Sequence, residues 1–93
     1  MPSRHEALQA IRAGIERVDR DLLALLAERL ELARRAGEVK RRVHDPIVDP
    51  PQEDEVMGRA LQWGHEHGVD PEDVRAIMTR VIAMCRGVQQ QSG

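Results

Sequence analysis

At 93 residues, with 14 basic and 16 acidic side chains interspersed and a formal net charge of -2, the chain is sized for one domain, residues 1–93, and offers no broad cationic face for nucleic acid or a membrane surface. No stretch approaches the roughly 18 apolar residues of a membrane span, and the N-terminus lacks an apolar leader, so the cytoplasm is the default location. The lone Cys85 makes no internal disulfide and has no histidine at zinc-site spacing, so the sequence calls for no metal and no cofactor.

Composition predicts an all-α fold: Ala, Leu, Arg and Glu dominate, aromatics are 1%, and no run rich in β-branched residues reads as a strand. Ser3 followed by Glu6 is a capping-box pattern that starts a first helix. From there an apolar seam runs through Leu8, Ile11, Ile15, Val18, Leu22 and Leu25, is interrupted by Arg29, and resumes at Leu32, Ala36, Val39 and Val43. Alternating steps of three and four over that span predict one continuous helix of about 40 residues, or about 60 Å. A 93-residue monomer has too little surface to cover it. Gly14 and Gly37 each cost about 1 kcal/mol relative to Ala inside a helix, but the seam passes through both.

Pro46 closes this helix, leaving a loop from Val43 to Val48. Asp49 then reads as an N-cap, with Pro50 at the first helical position and Gln52 at the capping-box position. The second helix presents Val56, Met57, Ala60 and Leu61 on one face and ends between Gly64 and Gly68. Asp70 followed by Pro71 repeats the start signal. The third helix carries the stripe Val74, Ile77, Met78, Val81, Ile82, Cys85 and Val88, and the tail from Gln89 to Gly93 is expected to fray. Trp63 is expected to pack. The architecture predicted is an intertwined homodimer, three helices per chain, in which two copies of the long helix cover each other's seams.

Arg29 is the informative anomaly, a guanidinium where the seam calls for an apolar side chain. A buried charge without a partner costs several kcal/mol, so an anion should meet it. Lys40, 11 positions on, shares that face at an axial separation of about 16 Å. Together they are placed to grip a small dianion. The competing reading pairs Arg29 with Glu28, Glu31 or an acid of a partner chain, and leaves Lys40 solvated. Spacing alone leaves both open. Arg12 lies 17 positions before Arg29, about 25 Å along the helix, so one small ligand reaches both only if an antiparallel partner supplies the second arginine. Glu53 falls on the inward face of the second helix, where it can accept from a ligand or interact with the helix dipole. Cys85 and Gln89 stack at i, i+4 on the third helix. The His65, Glu66, His67 cluster lacks the spacing of a metal motif.

The segment Leu8 to Lys40, with its I-R, A-E-R and G-x-V-K elements, followed by D-P-I-V-D-P and C-R-G-V-Q, closely resembles the all-helical chorismate mutases over nearly the whole chain. The resemblance implies an intertwined homodimer with two active sites, each borrowing an arginine from the neighbouring subunit. Carried over by position, Arg29 and the Arg12 of the neighbouring copy match carboxylate-binding arginines. Lys40 matches the lysine at a carboxylate and the ether oxygen, and Gln89 the group on the other side of that oxygen. Asp49 and Glu53 match positions around the ring hydroxyl, Cys85 a binding position held by serine in some members, and Asp19 a structural one. Two departures stand out. Gln52 occupies the place where the family often has arginine, which implies one cation fewer in the pocket, and Cys85 offers a thiol where a hydroxyl donates better.

The activity implied is the rearrangement of chorismate to prephenate in aromatic amino-acid biosynthesis, with Lys40, Gln89 and Arg29 in the catalytic roles and Arg12, Asp49, Gln52, Glu53 and Cys85 in binding. Three alternatives stand beside it. One is a related mutase for 4-amino-4-deoxychorismate, whose ring ammonium suits two carboxylates lacking a neighbouring arginine. Another is a lyase for isochorismate, and the third a noncatalytic dimeric regulatory module. An activating synthase partner is also compatible with the sequence.

Overall fold

The computed structural model describes residues 1–91 and forms three α-helices, α1 Arg4–Arg42, α2 Pro50–Glu66 and α3 Pro71–Gln91, with no strand among the described residues. The helix starts follow their caps. Ser3 Oγ accepts from the Glu6 N–H at 3.1 Å, Asp49 Oδ1 from the Gln52 N–H at 3.2 Å, and Asp70 Oδ1 from the Glu72 N–H at 2.8 Å. At the end of α3 the expected fraying does not begin at Gln89, because the helix continues to Gln91. Arg41 Nη1 donates to the Gln89 carbonyl at 2.8 Å, which satisfies a backbone acceptor the helix end would otherwise expose. Ser92 and Gly93, the remainder of that tail, lie outside the described residues.

The two earlier helices end in the same way. After α1, His44 takes a left-handed φ of 61°, its N–H bonds to the Arg41 carbonyl at 3.3 Å, and the Asp45 N–H bonds to the Lys40 carbonyl at 2.8 Å. After α2, Gly68 has φ 72° and the Val69 N–H reaches the Gly64 carbonyl at 2.8 Å. Both are Schellman terminations, which turn the chain sharply while occupying the last free carbonyls.

Helix α3 packs against both α1 and α2. The paired positions give the directions: Arg29 meets Cys85 and Lys40 meets Gln89, so α1 and α3 run parallel, whereas Gly64 meets Val74 and Glu53 meets Arg86, so α2 and α3 run antiparallel. Two glycines permit the closest approaches. A Cβ on Gly37 would lie 3.1 Å from Gln89 Cα, and one on Gly64 would lie 2.6 Å from a Val74 methyl.

The face of α1 turned to α3 is not the predicted seam. It is the adjacent row of Leu26, Leu30, Ala33 and Gly37, partly or fully buried, while the seam residues Leu8 to Leu25 remain exposed, Ile15 at 55% and Leu25 at 64%. From Arg4 to Leu25 every position but Gly14 is exposed. Trp63, expected to pack, is also largely exposed, as is Ile77 of the α3 stripe. The radius of gyration is 17.7 Å with a long dimension of 63 Å, against about 12 Å for a compact chain of this length. Among the described residues only Ala33, Val74 and Cys85 form a buried apolar core. The chain thus carries a long apolar face that its own helices leave uncovered.

Candidate active site

The C-terminal half of α1, the start of α2 and the C-terminal half of α3 enclose a cavity of about 410 Å³. Helix α1 contributes Arg29 and Lys40, α2 and its cap contribute Asp49, Gln52 and Glu53, and α3 contributes Cys85 and Gln89. These are the candidate residues read from the sequence, with one exception. Arg12 is exposed on the projecting half of α1 and does not line the cavity of its own chain.

Arg29 Nη1 donates to Cys85 Sγ at 2.7 Å, and among the described residues no carboxylate pairs with it. Glu31, one of its alternative partners, is taken by Arg34, whose Nε and Nη2 donate at 3.0 and 2.6 Å. That hydrogen-bonded contact holds the Glu31 carboxyl below its ordinary range. A thiol is a weak acceptor and carries no compensating charge. The Arg29 guanidinium therefore faces the cavity with its charge unmatched by any described side chain.

Lys40 is oriented from two sides. Its Nζ donates to the Ile47 carbonyl at 3.1 Å and to Gln89 Oε1 at 3.2 Å. The first contact depends on the left-handed turn at His44, which folds the loop back over α1. An ammonium has three N–H donors, so one is left for a ligand. Because an ammonium only donates, the oxygen of the Gln89 amide must face it, and Nε2 is the Gln89 atom able to donate elsewhere. Two donors on neighbouring helices thus stand side by side.

The opposite wall is acidic, and it holds a cation that the sequence reading missed. Arg86 lines the cavity and clasps Glu53, Nε to Oε2 at 3.2 Å and Nη2 to Oε1 at 2.5 Å. Gln52 brings no charge to the cavity from α2, while Arg86 on α3 places a guanidinium beside Glu53. Its spacing carried the signal, since Ile82, Arg86 and Gln89 fall at i, i+4 and i+7 on the cavity face. Asp49 lines the same wall while capping α2.

Among the described residues the lining carries three cations, Arg29, Lys40 and Arg86, against two carboxylates, Asp49 and Glu53. No histidine among the described residues lines it, and the Cys85 sulfur accepts from Arg29 rather than donating its proton to a base. Such an arrangement is suited to binding an anion and stabilising charge on an oxygen, not to nucleophilic attack. Among the described residues no cluster of three or more His, Cys, Asp or Glu is placed to hold a metal, and no helix is long and apolar enough to cross a membrane.

Residues 11–90 match the family described as chorismate mutase type II. The chain is 34% identical to the chorismate mutase of Methanocaldococcus jannaschii, over 92% of this chain and 87% of that protein. It is also 34% identical to the bifunctional chorismate mutase/prephenate dehydratase of Aquifex aeolicus, over 92% of this chain but only 25% of that longer relative. With the 4-amino-4-deoxychorismate mutase of Streptomyces pristinaespiralis it shares 32% identity over 87% of this chain and 64% of the relative.

Proposed function

This chain belongs to the chorismate mutase type II family, and from that premise we propose that residues 1–93 act as a mutase unit converting chorismate to prephenate for aromatic amino-acid biosynthesis in the cytoplasm. The observation that carries this reading is the pairing of Lys40 with Gln89 at 3.2 Å, beside an unmatched Arg29, in a cavity whose thiol is bonded to Arg29 and not to a base.

The reaction is a concerted [3,3] shift. The bond between the ether oxygen and the ring breaks as the methylene carbon of the enolpyruvyl arm bonds to the ring. The ether oxygen becomes a ketone oxygen, and no proton or electron enters or leaves. What a protein can add is confinement of the arm over the ring and stabilisation of the charge that grows on the ether oxygen. Arg29 takes a carboxylate. Lys40 bridges a carboxylate and the ether oxygen, and Gln89 Nε2 donates to that oxygen from α3. Asp49, Gln52 and Glu53 meet the ring substituent, and Cys85 holds Arg29 in place.

The same proposal makes the active assembly a homodimer with shared pockets. The uncovered α1 seam supports it, and so does charge. The described residues give a single chain's cavity one net positive charge, three cations against two carboxylates. An Arg12 from the neighbouring copy raises this to two, matching a dianion. A second enzyme as partner, such as an activating synthase, fits with the Aquifex relative, whose name joins a mutase to a prephenate dehydratase.

The test is direct: purified protein added to chorismate should consume its absorbance and yield prephenate, and no turnover at micromolar protein would sink the reading. The Streptomyces relative supports a second reading, turnover of 4-amino-4-deoxychorismate. The same assay with that substrate separates the two.

A further inference from the structure

We propose that Arg86 decides which ring substituent the cavity accepts, favouring an uncharged hydroxyl over an ammonium by holding and neutralising Glu53. The inference rests on the mutase reading above and names the preferred substrate within it.

The Arg86 fork grips the Glu53 carboxylate with two parallel N–H bonds, at 3.2 and 2.5 Å, from α3 across to α2. This bidentate geometry fixes the carboxylate's plane as well as its charge. The side chains are 38% and 27% exposed and both line the cavity, so the pair is presented to a ligand rather than sealed away. Exposure screens its Coulomb energy, but screening leaves the hydrogen-bond directions intact.

Orientation of the ligand follows from the charges. A dianion's carboxylates are drawn to Arg29 and Lys40 on α1 and repelled by Asp49 and Glu53. The remaining polar ring substituent is then turned towards the wall formed by α2 and Arg86. With Glu53 unpartnered, that wall would carry two negative charges and attract a ring ammonium. With Glu53 clasped, it carries one, and a guanidinium stands within bonding distance of the same carboxylate. An ammonium can only donate and is repelled by Arg86, whereas a hydroxyl both donates to the carboxylate and accepts from the guanidinium. Gln52 is neutral, so Arg86 is the sole cation that the described residues of α2 and α3 contribute to the cavity lining.

The experiment measures kcat/KM for chorismate and for 4-amino-4-deoxychorismate with the wild-type dimer, Arg86→Gln and Glu53→Gln. Wild type should prefer chorismate. In Arg86→Gln the ratio should move towards the amino substrate by about tenfold or more, the low end of what a single pocket contact discriminates. In Glu53→Gln it should move the opposite way, because Arg86 then faces the ring substituent uncompensated. Opposite shifts in reciprocal variants cannot come from a general loss of structure, and either variant alone tests the idea if the other fails to fold. Equal losses on both substrates, or a wild-type preference for the amino substrate, overturn the inference while leaving the mutase reading standing. Absence of turnover of either substrate by wild type removes both.

Discussion

Lys40 on α1 and Gln89 on α3 are joined by a 3.2 Å hydrogen bond from Nζ to Oε1, which fixes the orientation of both polar groups at the same place in the cavity. The ammonium cannot accept, so the amide is locked with Nε2 outward. Lys40→Ala is expected to lower kcat for chorismate by about 10² or more, the range for losing one donor to a developing oxyanion. Circular dichroism should show an unchanged helical content, since the lysine is one of two basic side chains anchoring the end of α3. A nearly normal rate in a folded Lys40→Ala protein would remove Lys40 from this role.

The backbone beneath that hydrogen bond is set by Gly37, where a Cβ would come within 3.1 Å of Gln89 Cα and 3.2 Å of its Cβ. Gly37→Ala brings about 1 kcal/mol of helix propensity, which offsets the cost of pushing the end of α3 outward by a few tenths of an ångström. Stability should therefore change little. Activity should fall several-fold, because the displacement carries Gln89 away from Lys40. Melting temperature and kcat measured on the same preparation check this, and full activity would show that the register of Gln89 is uncritical.

How far the sequence was legible differs between local and tertiary features. Helix boundaries were readable from Ser3, Asp49, Pro50, Asp70 and Pro71, because a cap acts on the next three residues and needs nothing distant. Arg29, Lys40 and Gln89 were singled out by helix-face spacing only in combination with the family resemblance, because spacing alone left a solvated or ion-paired reading open. The face of α1 that meets α3 was not readable. The strongest apolar periodicity marks the seam through Leu8 and Leu25, which this chain leaves exposed. The contact instead uses Ala33 and Gly37, whose value is small size, a property that matters only once another helix is there. Arg86 escaped notice for a related reason. A charge on a helix reads as solvated until the carboxylate it meets, 33 residues away at Glu53, is known to face it.

His44 holds a left-handed φ of 61° at the Schellman turn that closes α1. Side chains with a Cβ are strained there, whereas glycine is not. His44→Gly is expected to stabilise the folded chain by about 0.5–1 kcal/mol, the strain relieved less the extra freedom glycine gives the unfolded chain. Denaturant titration checks it. Activity should be retained, since the loop still delivers the Ile47 carbonyl to Lys40. A destabilised His44→Gly would mean that the imidazole makes a compensating contact in the assembled protein.

The proposed sharing of pockets between two copies makes a quantitative prediction about mixed mutants. Arg12→Ala keeps its own Arg29 but cannot lend an arginine, while Arg29→Ala can lend Arg12 but has a defective cavity. Each homodimer should be nearly inactive. In a heterodimer, the cavity of the Arg12→Ala chain receives an intact Arg12 from its neighbour and is complete, whereas the other cavity lacks both arginines. Random exchange of equal amounts places half the dimers in the mixed state with one working site each, so activity should recover to about a quarter of wild type. Tagged subunits resolved by native mass spectrometry would verify exchange. If exchange is complete and activity stays at the average of the two variants, Arg12 acts within its own chain or not at all. The roughly 25 Å that separates it from Arg29 along α1 would then place it outside the reaction altogether.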